Sequence, residues 1–140
     1  DFFVNVGIGE SRIPMEYYVL EESSMNTFDY DFIIKKKLVN KIKQKITVPV
    51  RTLEEILEEN LNAHDRLDFF DVDVEGRDLE VLKTNNWNKY RPKVIMVESD
   101  TPLISGISSD IVQYLEQKDY RVIGKSIIQG DLGNIFLISK

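Results

Sequence analysis

Four apolar residues in a row, Val94-Ile95-Met96-Val97, stand between Lys93 and Glu98. A run that short and unbroken has no polar face to give to water. It predicts a strand covered on both sides, as in the middle of a parallel sheet. Residues 67–74 (LDFFDVDV) read as a second β-run, broken at Gly76, with a short helix following through Leu79 and Leu82 to about Lys83. Ser108 or Ser109 is placed to cap a further helix whose inward face is Ile111, Tyr114 and Leu115. Residues 120–128 and 134–138 are two more strands around the turn QGDLG, and so short a connection allows only antiparallel pairing. The order strand, helix, strand, helix, strand, strand is the back half of an open α/β sheet ending in an antiparallel pair.

The residues ahead of position 67 read less cleanly. Residues 2–8 suggest a strand with Val4, Val6 and Ile8 on one face, and residues 15–20 (MEYYVL) a second. Residues 21–27 are polar and read as a loop. Over residues 31–45, Ile34, Leu38 and Ile42 recur every four positions among six lysines, which predicts a basic amphipathic helix. Such a helix suits a membrane surface or an acidic partner, or else it is a solvated face turned toward an acidic body. Residues 46–50 (ITVPV) alternate like a strand, with Pro49 marking its end. Thr52 and Glu55 then have the spacing of a capping box before a helix with Leu53, Ile56, Leu57 and Leu61 on its stripe.

At 140 residues the chain suits one domain, 1–140. The net charge of -6 argues against nucleic acid as a partner. The absence of cysteine removes disulfides, thiolate nucleophiles and Cys-ligated zinc, and a single histidine cannot build a His-rich metal site. No apolar run approaches the roughly 20 residues of a membrane span, and residues 1–12 lack a basic start and a cleavage site. The expectation is a cytoplasmic protein with no transmembrane segment and no metal centre.

Residues 67–82, LDFFDVDVEGRDLEVL, resemble the central motif of the FkbM family of S-adenosylmethionine-dependent methyltransferases. Asp73, Val74, Glu75 and Gly76 match its core, and Glu80, Val81 and Leu82 continue it. The flanks are similar too: residues 48–57 (VPVRTLEEIL) before the motif, 91–99 (RPKVIMVES) after it, then 119–123 (DYRVI) and 133–140 (GNIFLISK). MNTF, at 25–28, resembles another family segment. The resemblance implies a Rossmann-like class I methyltransferase sheet, partial, with a C-terminal antiparallel strand pair. It also implies S-adenosylmethionine as cofactor and a small-molecule or glycan acceptor. The glycines of NVGIGE (5–10) are only superficially like a cofactor loop, because SRIPMEYYVL after them has a proline and no helical stripe. The domain is therefore expected to be incomplete at its N-terminus, with its cofactor-binding units missing and S-adenosylmethionine not bound tightly.

Asp73 and Glu75 flank Val74, so in strand geometry both carboxylates share a face at the carboxyl end of the strand, where open α/β sheets receive ligands. They are the candidate catalytic pair, orienting the substrate or the methionine end of the cofactor, unless they are simply solvated or cap the next helix. Asp71 adds a third acid on that face, and Glu98 ends the next strand at the same edge. Asn26 and Thr27 are further substrate-side candidates by resemblance. His64 lies in a polar linker with no visible partner, and Trp87 and Tyr90 read as pins for a helix–strand connection. Two functions compete. One is O-methyl transfer to a sugar, glycolipid or small-metabolite hydroxyl by the parent protein, with this chain alone inactive. The other is a non-catalytic, degenerate binding module. Either way, an uncovered sheet edge invites self-association.

Overall fold

In the computed structural model, which describes residues 3–62, 64–74 and 76–140, the apolar run becomes β6 (Val94–Ser99). It lies inside a four-stranded sheet with β5 (Phe69–Val72), β7 (Tyr120–Lys125) and β8 (Gly133–Ser139), in the order β5-β6-β8-β7. β5 runs parallel to β6, while β8 runs antiparallel to both β6 and β7. Two rows of side chains cross the sheet in register. Phe70, Ile95 and Leu137 form one, and Val72, Val97 and Ile135 the other. Ile95, Val97, Ile135 and Leu137 are fully buried. Val94 and Met96, on the opposite face of β6, are only half-buried, so the cover expected on both sides is complete on one. The fold is mixed α/β with the expected C-terminal antiparallel pair.

Contacts divide the chain into two compact units, residues 1–52 and 53–140. In the second, α2 (Leu53–Asn60) begins directly after Thr52, as the capping-box spacing requires. Its first amides find partners far along the chain: Leu53 N donates to Thr84 Oγ1 at 2.9 Å and Glu54 N to the Thr84 carbonyl at 3.2 Å. Thr84 Oγ1 in turn donates to the Val81 carbonyl, so one buried hydroxyl joins α2 to the end of α3 (Asp78–Lys83). Trp87 is buried after α3, its indole N–H donating to Tyr114 and to the Leu82 carbonyl, and Tyr90 is buried beside it in sequence. Both pin the connection into β6. After α4 (Leu103–Gly106), Ser109 takes the N-cap position of α5 (Asp110–Glu116), but without a side-chain cap bond. Of the expected stripe of α5, Leu115 is fully buried while Ile111 and Tyr114 are half-buried, and Val112 is buried beside them. Gly133 opens β8 because a Cβ there would overlap the Ser126 carbonyl.

The first unit departs furthest from expectation. Only Gly7–Ile8 form a strand, β1, parallel to β4 (Val50–Arg51); residues 3–6 do not extend it. β2 (Met15–Leu20) pairs antiparallel with β3 (Ile42–Val48). The long basic helix is not formed. Helix α1 covers Tyr30–Lys35 and stops where Lys37 enters the left-handed region at φ 59°. The segment from Ile42 onward is a strand, because IKQKITV also alternates with period two and is rich in β-branched residues. Lysines on either side of the start of β3 take separate local partners. Lys41 pairs with Glu21 at 2.7 Å, and Lys45 lies 3.7 Å from Glu16 and over the Tyr18 and Tyr30 rings.

Two outcomes are expected from this packing. β5 ends its sheet, with Phe69 half exposed, so the chain should self-associate with rising concentration in light scattering. Phe69→Lys should reduce that association; unchanged association would exclude this edge. Separately, burial pushes the Tyr120 hydroxyl up to about 12 against the pull of Arg91, and it donates to the Pro92 carbonyl at 2.7 Å. Its contribution to stability is therefore intact below the unfolded value of 10 and lost as pH rises from 10 to 12. Alkaline denaturation of Tyr120→Phe should be flatter than wild type across that window.

Candidate functional site

β5 ends at Val72, whose side chain is buried, and this turns the flanking Asp71 and Asp73 to the exposed face. Because Val72 pairs with Val97, the next step of each parallel strand carries Asp73 and Glu98 side by side in sequence register. Glu98 is half-buried and sits opposite Asn134 of β8. Asp71, Asp73 and Glu98 therefore share the carboxyl edge of the parallel pair. Glu75 lies outside the described residues. Among the described residues no three acidic or histidine side chains come close enough to hold a metal ion.

Gly76 has φ +87°, a conformation that favours glycine, and it turns the chain from β5 into α3. That turn delivers a residue that sequence reasoning passed over. Asp78, the first residue of α3, is only 7% exposed, and its Oδ1 is buried with no hydrogen-bond partner. Burial pushes its carboxyl up from its ordinary value and the charge of Asp73 adds to this, while the backbone amides of Asp78, Val74 and Gly76 oppose it. The edge thus holds exposed carboxylates beside a desolvated one. The signal in the sequence is an acid just past a glycine break, two residues ahead of Glu80. Glu80 instead takes the Arg77 guanidinium in a two-pronged pair at 2.6–2.9 Å.

Lys125 is the second missed residue. It is half-buried near the end of β7, and its ammonium donates to Ser99 Oγ at 3.2 Å, to the Asp131 carbonyl at 3.0 Å and to the Thr101 carbonyl. One cation thereby ties the end of β6 to the tip of the β7–β8 hairpin. Ser99 also meets Gly106, where a Cβ would come within 3.1 Å of its hydroxyl.

Asn26 and Thr27 belong to the first unit and serve its backbone. Asn26 Oδ1 accepts from Leu20 N at 2.8 Å, while Thr27 bridges Tyr18 through main-chain bonds and accepts from Asp29 N. His64 is exposed in the linker after α2. The glycines of NVGIGE are engaged as well: Gly7 N donates to the Pro49 carbonyl and Gly9 N to the Arg51 carbonyl. Residues 9–14 form no helix and lead into β2.

A family model described as the methyltransferase FkbM domain matches residues 2–122. That span includes both strands of the acidic edge, and it does not favour the reading as a non-catalytic module. No curated protein and no solved structure matches the chain. No helix among the described residues is long and apolar enough to cross a membrane.

The ionisation of Asp78 provides a test. A raised carboxyl stabilises the fold while protonated, and that contribution is lost as pH rises through the folded value. Asp78→Asn should therefore gain stability relative to wild type as pH rises from below the ordinary carboxyl value of 3.8 to neutrality, measured by urea denaturation. An advantage that does not grow with pH would show that the carboxyl is not desolvated.

Proposed function

We propose that this chain, which belongs to the FkbM methyltransferase domain family, forms the acceptor side of an S-adenosylmethionine-dependent O-methyltransferase acting on a hydroxyl of a sugar, glycolipid or small metabolite. Its four-stranded sheet is then one end of a Rossmann-like methyltransferase sheet within a single domain. The observation that supports this most is the placement of Asp71, Asp73 and Glu98 at the carboxyl edge of two parallel strands inside the family match. A sulfonium cofactor supplies a methyl group that is already activated, so the protein has to align the acceptor and take up one proton. Asp73 and Glu75 are assigned to orient the acceptor hydroxyl and receive that proton, with Asp71 and Glu98 contacting the rest of the acceptor.

The residues of this chain fit the acceptor better than the cofactor. The amides of Gly7 and Gly9 are already spent on backbone carbonyls, and the groove of the second unit opens at the far end of the sheet from Asp73. Purine and ribose contacts are therefore assigned to residues outside this chain.

Two measurements test the reading. Titration calorimetry of this chain with S-adenosylhomocysteine should give weak binding, since each lost charged hydrogen bond costs about 1.5–3 kcal/mol and each 1.4 kcal/mol about tenfold. A dissociation constant below about 50 μM would overturn the assignment of cofactor contacts elsewhere. In the whole enzyme, Asp73→Asn should lower kcat about 10²-fold, the usual loss for a general base. Asp73 is exposed, so folding should be untouched. No methyl gain by mass analysis across a broad panel of hydroxyl acceptors would overturn the activity itself.

A further inference from the structure

At the end of the sheet away from Asp73, the residues leading into β5 and β6 and the last residue of β8 enclose a groove of about 470 Å³. That volume is within the usual range of small-molecule sites. In a chain of net charge -6, this groove is lined by four cations, Arg66, Lys89, Arg91 and Lys93, against two acids, Asp65 and Asp68.

Ion pairing answers two of the four. Arg66 pairs with Asp68 at 3.0 Å, and Lys89 pairs with Glu58 at 2.7 Å. Asp65 turns back into its own loop, accepting from the Asn62 backbone and side chain. Among the described residues Arg91 meets neutral groups: its guanidinium donates to the Lys118 carbonyl at 2.7 Å and the Trp87 carbonyl at 3.4 Å, over the Tyr120 ring. A guanidinium has five N–H donors, so several remain to be given. Lys93 has no carboxylate partner among the described residues.

The backbone that presents these two charges is braced. Lys93 N donates to the Leu67 carbonyl, Ser139 N to the Lys93 carbonyl, and the Tyr120 hydroxyl to the Pro92 carbonyl. Such bracing lowers the ordering cost of binding. Leu61 and Leu67 add an apolar wall.

We propose that this groove binds a small organic oxyanion, a single phosphate or carboxylate group on a compact apolar body. Arg91 and Lys93 hold the anion, and Leu61 and Leu67 take the body. The site is separate from the acidic edge and does not depend on methyl transfer.

Amide NMR of the full chain at low ionic strength, titrated with phenyl phosphate and separately with inorganic phosphate, tests this. Phenyl phosphate should cause saturable shifts at Leu67, Arg91, Lys93 and Ser139, with none at Asp71 or Asp73, and should bind more tightly than inorganic phosphate. Lys93→Gln should weaken binding roughly three- to tenfold, allowing for its exposure. Arg91→Gln should do at least as much; because Arg91 also braces two carbonyls, Lys93→Gln decides if that variant unfolds. Absence of saturable shifts, or binding unaffected by Lys93→Gln, would overturn the site. Equal affinity for the two phosphates would overturn the apolar part of the ligand.

Discussion

The second unit depends on the pairing of β6 with unlike neighbours on its two sides. Parallel β5 needs a helical crossover, supplied by α3 and the segment through Trp87, whereas antiparallel β8 returns from a hairpin. Ile95 and Val97 are fully buried and in register with Leu137 and Ile135, so a one-residue slip would carry this apolar row to the other face. The polar bonds then brace the ends of this sheet. Tyr120 holds Pro92 ahead of β6, and Lys125 holds Ser99 at the end of it.

That geometry separates charge by direction. Parallel strands end together, so Asp73 and Glu98 share one edge, while the residues that lead into the same strands gather Arg66, Arg91 and Lys93 at the other. Burial distinguishes the acids within the first edge. Asp71 and Asp73 keep their hydration, whereas Asp78, five residues beyond Asp73, has lost it. A turn through Gly76 is enough to move a carboxylate between these environments.

The first unit shows how two periodicities compete in one stretch of sequence. Ile34, Leu38 and Ile42 are spaced for a helix, yet Ile42, Gln44, Ile46 and Val48 are equally spaced for a strand. Pairing with β2 rewards the second pattern, since MEYYVL offers a complete partner and its Tyr18 ring, with Tyr30 of α1, takes Lys45. An isolated helix of that length would have had little to offset its nucleation cost. Lys36, Lys41, Lys43 and Lys45 consequently serve separate local contacts instead of one basic face.

The sequence alone determined the elements whose signal is local and unambiguous. The four apolar residues of β6, the glycine break after β5, the helix start after Thr52 and the short hairpin before β8 each follow from the chemistry of adjacent residues. So does the resemblance to the methyltransferase motif, which is a matter of residue order. Tertiary structure decided what depends on distant partners. Whether residues 31–45 became helix or strand rested on β2, and the donors of α2 met an acceptor at Thr84, about thirty residues later. The desolvation of Asp78 and the three acceptors of Lys125 likewise come from packing, because burial and charge proximity are properties of space that sequence spacing does not encode.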